Sequence, residues 1–167
     1  LGGAIGGTLA WLSTTTPAVK NTFTTSDISI SLSESDDLDL KMVPGHSVTK
    51  DPIVKVDPKS EECFLFVKLE KSENFDNYLT FEVAEGWAVL DGNPNVYYRK
   101  VLKADMGTDF VILKDNQVKV KEDVTKAMMN ELGEATFPSL TVTAYASQLH
   151  KDNSNDFDVA AAWGNIS

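Results

Sequence analysis

Polar and apolar residues alternate one for one along much of this chain, and that period admits few folds. Successive side chains of a strand point to opposite faces, so strict alternation marks a ribbon with one dry face and one wet face. Asp27, Ile28, Ser29, Ile30, Ser31 and Leu32 separate in this way, and residues 37–42 repeat the pattern after a turn at Ser33, Glu34, Ser35 and Asp36. Pro44-Gly45, Asp51-Pro52 and residues 57–60 punctuate the next stretch, where Val54 and Val56 flank Lys55. Residues 63–69 break the rule informatively. Cys63, Leu65, Val67 and Leu69 take one face while Phe64 and Phe66 take the other. A strand apolar on both faces belongs in the middle of a sheet. Further strands are expected at 79–83, 87–90, 96–102, 110–113, 118–120 and 140–146, with Asp91-Gly92-Asn93-Pro94 as a hairpin turn. Only two segments carry helical spacing. Residues 123–132 place Val124, Ala127, Met128 and Leu132 on one face before Gly133, and residues 156–163 open on Asp156 as a cap and run through three alanines. Nine or ten short strands with two helical patches predict an all-β antiparallel sandwich or barrel.

Charge narrows the partners. Twenty-five acids against fifteen bases leave a net charge of -10, and Arg99 is the one arginine. Nucleic acids and anionic membranes recruit clustered Lys and Arg, so neither is expected as a partner. The single cysteine, Cys63, permits no internal disulfide and no multi-thiolate zinc site. In an apolar strand it reads as an inert buried thiol. His46 and His150 lie about a hundred positions apart, outside any H-E-x-x-H helix, and both are expected at the surface. No nucleophile elbow or phosphate-cradling loop is present. No catalytic residue, cofactor or metal ligand is therefore assigned. Glu34 with Asp36, Asp37 and Asp39, and Asp152, Asp156 and Asp158 with Asn153 and Asn155, read first as solvated turns and only secondarily as oxygen ligands for calcium. Trp87 and Trp163 are expected in the core.

The first twelve residues are unlike the rest. Four of the chain's ten glycines fall in the first seven positions, and no charged side chain occurs before Lys20. At about half of the ~20 residues a spanning helix needs, and with glycines costing roughly 1 kcal/mol each in helical form, this head cannot cross a membrane as a helix. Its short apolar run meeting Thr8-Leu9-Ala10 has the look of the end of an export signal. Register suggests another role. Leu1, Ile5, Leu9 and Trp11 lie on one face, opposite Gly2, Ala4, Gly6, Thr8, Ala10 and Leu12. Twelve extended residues reach roughly 40 Å, the length of a small sandwich. Large anchors on one side and small residues on the other suit a strand donated to an open sheet edge of another subunit. A head-to-tail contact of that kind does not close on itself and produces a filament. The expected division is a donor strand at 1–12, a connector at 13–19 and one β domain at 20–167.

Several segments in order carry a resemblance. Residues 6–12, then 19–24 and the strand at 28–32, then Val43-Pro44-Gly45 leading to Lys50-Asp51-Pro52, Cys63 to Val67 and the ending Ala160-Ala161-Ala162-Trp163 resemble the TasA and camelysin family of exported Gram-positive proteins, and are similar to archaeal bundling pilins. The resemblance implies a jelly-roll sandwich, secretion to the cell surface or biofilm matrix, and assembly into fibres whose N-terminal segment complements the next subunit. On it the chain is expected to be a non-enzymatic head-to-tail homopolymer, with Leu1, Ile5, Leu9, Trp11 and Leu12 as the polymerisation contacts. Family signals are usually cut near the small-residue site, which here falls after Ala10, ten residues into this chain. Two alternatives stand beside it: a camelysin-like surface metalloprotease, for which no ligand cluster matches, and a monomeric surface-binding module with a residual signal segment.

Overall fold

A computed structural model describes residues 10–11, 18–21, 28–35 and 41–166. Leu1, Ile5, Leu9 and Leu12 of the expected donor strand, and Asp36, Asp37 and Asp39 of one calcium candidate, lie outside the described residues. The described residues are all-β, built from strands of two to nine residues with three short α-helices. The strands in order are β1 (Ala10–Trp11), β2 (Ala18–Asn21), β3 (Ile30–Ser33), β4 (Lys41–Met42), β5 (Ser47–Thr49), β6 (Ile53–Val56), β7 (Cys63–Lys71), β8 (Leu79–Thr80), β9 (Ala88–Leu90), β10 (Asn93–Val101), β11 (Phe110–Val111), β12 (Gln117–Val120) and β13 (Leu140–Gln148). The helices are α1 (Phe75–Tyr78), α2 (Lys126–Asn130) and α3 (Val159–Gly164).

A five-stranded sheet runs β2-β13-β7-β10-β9, and two three-stranded sheets run β11-β6-β3 and β5-β12-β8. The doubly apolar strand is β7, between β13 and β10, as its sequence requires. Its Cys63, Leu65, Val67 and Leu69 join Val54, Val56, Val118, Val120, Leu140 and Val142 in the main core, all buried. Phe64 and Phe66 belong to a second buried cluster on the opposite face. That face is covered by α3 rather than by another sheet. Ala162 is buried there, and Trp163 stands 5.1 Å from the Phe66 ring and 5.1 Å from Tyr145 between centroids. Trp163 and Trp87 are each partly buried and pack on the second and main clusters respectively. Aromatic pairs at these separations add about 0.5–1.5 kcal/mol beyond the area they bury.

Other expectations shift in detail. Among the described residues the strand pairing is antiparallel except between β2 and β13, which run parallel with Ala18 opposite Thr143. Ala18 and Val19 thus already belong to a strand, where a connector to residue 19 was expected. The strand expected at 79–83 lasts two residues, because Phe75 to Tyr78 form a helical turn first and Val83 makes only an isolated bridge to Leu113. The helix expected at 123–132 contracts to α2, whose cap is Thr125: its hydroxyl accepts the Met128 N–H at 3.2 Å. The cap of α3 is Asp158, which accepts the Ala161 N–H at 2.8 Å, and not Asp156. Spacing alone could not separate two aspartates two residues apart. The Asp91-Gly92 turn joins β9 to β10 as expected, with Leu90 opposite Asn93 and Gly92 at φ +78°.

Candidate functional site

The head enters the described structure at β1, and β1 pairs antiparallel with β4: Ala10 lies opposite Met42 and Trp11 opposite Lys41. The pair is a sheet of its own, and among the described residues β4 has no other strand partner. Alternation explains how β4 is seated. Met42 is fully buried in the main core while Lys41 is exposed. The chain then turns at Val43 to His46, where the His46 N–H donates to the Val43 carbonyl at 2.9 Å and Gly45 takes φ +78°. The Gly45 N–H donates to the Val120 carbonyl, which ties the turn to β12. The expected Pro44-Gly45 punctuation is therefore what joins β4 to β5 and ties it to β12.

A two-by-two clasp holds the chain upstream of this edge. Lys50, 1% exposed, places its ammonium 2.8 Å from the Glu34 carboxylate, whose side chain is 7% exposed. Beside it the Ser35 N–H donates to Asp51 Oδ1 at 3.0 Å and the Ser35 hydroxyl to Asp51 Oδ2 at 2.6 Å. The Lys50 N–H also donates to the Asn116 carbonyl. In the sequence Glu34 and Ser35 read as a turn and Asp51-Pro52 as punctuation. The buried pair had no local signal, because its partners are sixteen positions apart and meet only when β3 lies against β6. Glu34, one of the calcium candidates, is thus occupied by an ammonium.

The histidines divide. His46 is exposed. His150, half exposed, is gripped on both ring nitrogens: Nδ1 lies 2.6 Å from Asp156 Oδ1 and Nε2 2.9 Å from Glu62 Oε1. Glu62 accepts the Lys103 N–H on its other oxygen at 2.8 Å. An imidazole held this way has no nitrogen left to act as base on a substrate. What it can do is close the end of β13 onto the turn before β7. The hydrogen bond to Glu62 and that to Asp156 raise the His150 pKa above its ordinary 6.5, and the His150 and Lys103 contacts lower that of Glu62. A raised histidine contributes its stability in full below pH 6.5 and loses it as pH rises through the folded value; a lowered carboxylate contributes above its ordinary value and loses stability as pH falls. The clamp is therefore strongest at mildly acidic pH. Urea unfolding should show His150→Asn less stable than wild type at pH 6 by up to about 1 kcal/mol, as for exposed ion pairs, and the difference closing by pH 9. An unchanged difference at pH 9 would remove the charge from the explanation.

Other candidate chemistry is spent internally. Cys63 is fully buried, and desolvation pushes its thiol up to about 12, far from a nucleophile's range. Asp152 turns its carboxylate into its own loop, accepting from the N–H groups of Ser154 and Asn155 and from the Asn155 amide. Among the described residues no group of three or more His, Cys, Asp or Glu is arranged to hold a metal ion. Arg99 stacks its guanidinium 4.2 Å from the Phe110 ring centroid and 5.1 Å from that of Trp87, while the Trp87 indole donates to the Val111 carbonyl. Gly86 makes room for this stack: a Cβ there would sit 2.7 Å from an Arg99 nitrogen. A polar depression of about 610 Å³ lies between the end of β7 and residues 134–139. Its Ser72, Asn74 and Thr136 already bond across it, with the Asn74 amide donating to the Thr136 carbonyl at 2.7 Å. No helix among the described residues is long and apolar enough to cross a membrane. No family model, curated protein or solved structure matches this chain.

Proposed function

We propose that this chain is a secreted structural subunit of the TasA and camelysin kind, a jelly-roll sandwich that polymerises head to tail into extracellular filaments by donating residues 1–12 to the next subunit. The observation that carries the reading is the register of the head, which sets Leu1, Ile5, Leu9 and Trp11 on one face and small residues, with Leu12, on the other. A Gly-rich strand gains little by itself and needs a groove to give it packing. Three further features agree with it. The domain is all-β with short edge strands, β4 among them, at which a strand can be added. Two groups of catalytic type are tied up in the fold: both nitrogens of His150 face carboxylates and Cys63 is buried. The net charge of -10 keeps subunits apart until specific contacts form.

The test is deletion of residues 1–12 followed by electron microscopy. Filaments should be lost while the circular dichroism of the domain is kept; filaments that survive the deletion would sink the donor role. Replacing Ile5 and Leu9 together with Asp should also stop growth, because each charge would be buried without a partner.

A further inference from the structure

The edge that takes the donated head is not specified by the head's own register, but the pairing of β1 supplies an answer. β4 has one strand partner among the described residues, and that partner is the end of the chain's own head. Resting on the donor-strand reading, we propose that β4 is the acceptor edge, and that the pairing of Ala10–Trp11 with Lys41–Met42 within one chain is a resting cap which the head of a neighbouring subunit displaces in the same register.

Three observations support the exchange. First, β1 is held by two residue pairs, whereas β2, seven positions on, is held by four along β13. A two-stranded pairing of this size is marginal alone, so β1 is the segment released at least cost while β2 stays anchored. Second, the main-chain hydrogen bonds that β1 makes to β4 within a chain are chemically the same as those it makes to the β4 of a second copy. Exchange of identical elements needs no new recognition surface and is a low-cost route to assembly. Third, Met42 sits fully buried while its strand pairs, among the described strands, with β1 alone, so an uncovered β4 would expose backbone beside apolar core. An edge of that kind aggregates indiscriminately unless capped. The pairing of Ala10–Trp11 with their own β4 protects that edge until the same residues of another subunit replace them. The seven steps from Trp11 to Ala18 span at most about 25 Å, which confines the head to the margin of its own domain or to a subunit docked directly against it.

The register makes the proposal testable by disulfide trapping. Directly opposed antiparallel residues have Cα atoms about 4.5–5.5 Å apart, within the range a disulfide bridges. The native Cys63 is fully buried and stays silent. Full-length Trp11→Cys and Lys41→Cys are prepared separately, mixed, allowed to form filaments, and oxidised. Exchange predicts covalent dimers on a non-reducing gel from the mixture and not from either variant alone, and a ladder of longer species from the double variant. The pair Ala10→Cys with Met42→Cys repeats the experiment with Trp11 intact, in case that side chain is needed for assembly. Filaments whose chains stay unlinked in both pairings, or whose double variants close only within one chain, would overturn β4 as the acceptor and leave the donor reading standing. Failure of the wild-type chain to form filaments at all, with the double variants closing only internally, would overturn both.

Discussion

Glu34→Ala is expected to destabilise the domain by about 3–5 kcal/mol, although one of its neighbours in the turn, Ser35, is exposed. The reason is the state in which it leaves Lys50. That ammonium is 1% exposed, and its bond to Glu34, at 2.8 Å, is its one ion pair among the described residues. Removing the carboxylate strands a positive charge where water cannot reach it. The pair itself need not be stabilising relative to an apolar substitute, because bringing two charges out of water costs about what their attraction returns. The double variant Glu34→Leu with Lys50→Met should therefore unfold near the wild-type midpoint or above it, while each single variant falls well below. Urea titration of the four proteins forms a cycle that isolates the coupling. A Glu34→Ala loss under about 1 kcal/mol would mean that Lys50 finds water or another acceptor. The same cycle bears on assembly: Glu34 and Ser35 fix the chain just before the segment that leads to β4, so the single variants should also form filaments poorly.

Phe66→Ala should cost a similar 3–5 kcal/mol, which for a domain of this size lowers the melting temperature by about 10 °C. Phe66 is fully buried and touches three aromatic neighbours: Trp163 at 5.1 Å, Phe64 at 6.2 Å and Tyr98 at 6.3 Å between centroids. The ring is what α3 rests on. Its loss leaves a cavity beneath Trp163, so the emission of that indole should shift toward the red at denaturant concentrations where the main core is still folded. Phe66→Leu, which keeps most of the volume, should lose much less and show no such early transition. If Phe66→Ala unfolded in one step with the wild-type midpoint, the second cluster would not be holding α3.

How far the alternation carried depends on the residue. At 28–32, 54–56, 118–120 and 140–146 neighbouring residues differ enough in polarity to show which faces inward, and the buried residues of β6, β12 and β13 are the ones the period picks out. At 63–69 both faces are apolar, and that excess placed β7 centrally before any partner was known. The pattern weakened where a segment was too short to show a period. Leu79 and Thr80 make a two-residue strand after a helical turn, and four residues read as a strand there as readily as a helix. The candidate site was legible in part. The head's register is a property of its own residues. The turn at Pro44-Gly45 is written in two residues whose backbone preferences are strong. The Glu34–Lys50 and His150–carboxylate contacts were not, since ion pairs between distant positions leave no trace in local spacing.

By itself, then, the sequence determined the class of fold and the central strand, because each follows from the order of side chains along one ribbon. Tertiary structure alone decided that α3 closes the outer face of the five-stranded sheet, that β2 runs parallel to β13, and that β4 pairs with Ala10 and Trp11. It also decided which charges are buried together. Those outcomes depend on which distant surfaces meet and on the loss of water between them. The energy of such a meeting belongs to the pair, so neither segment carries it alone.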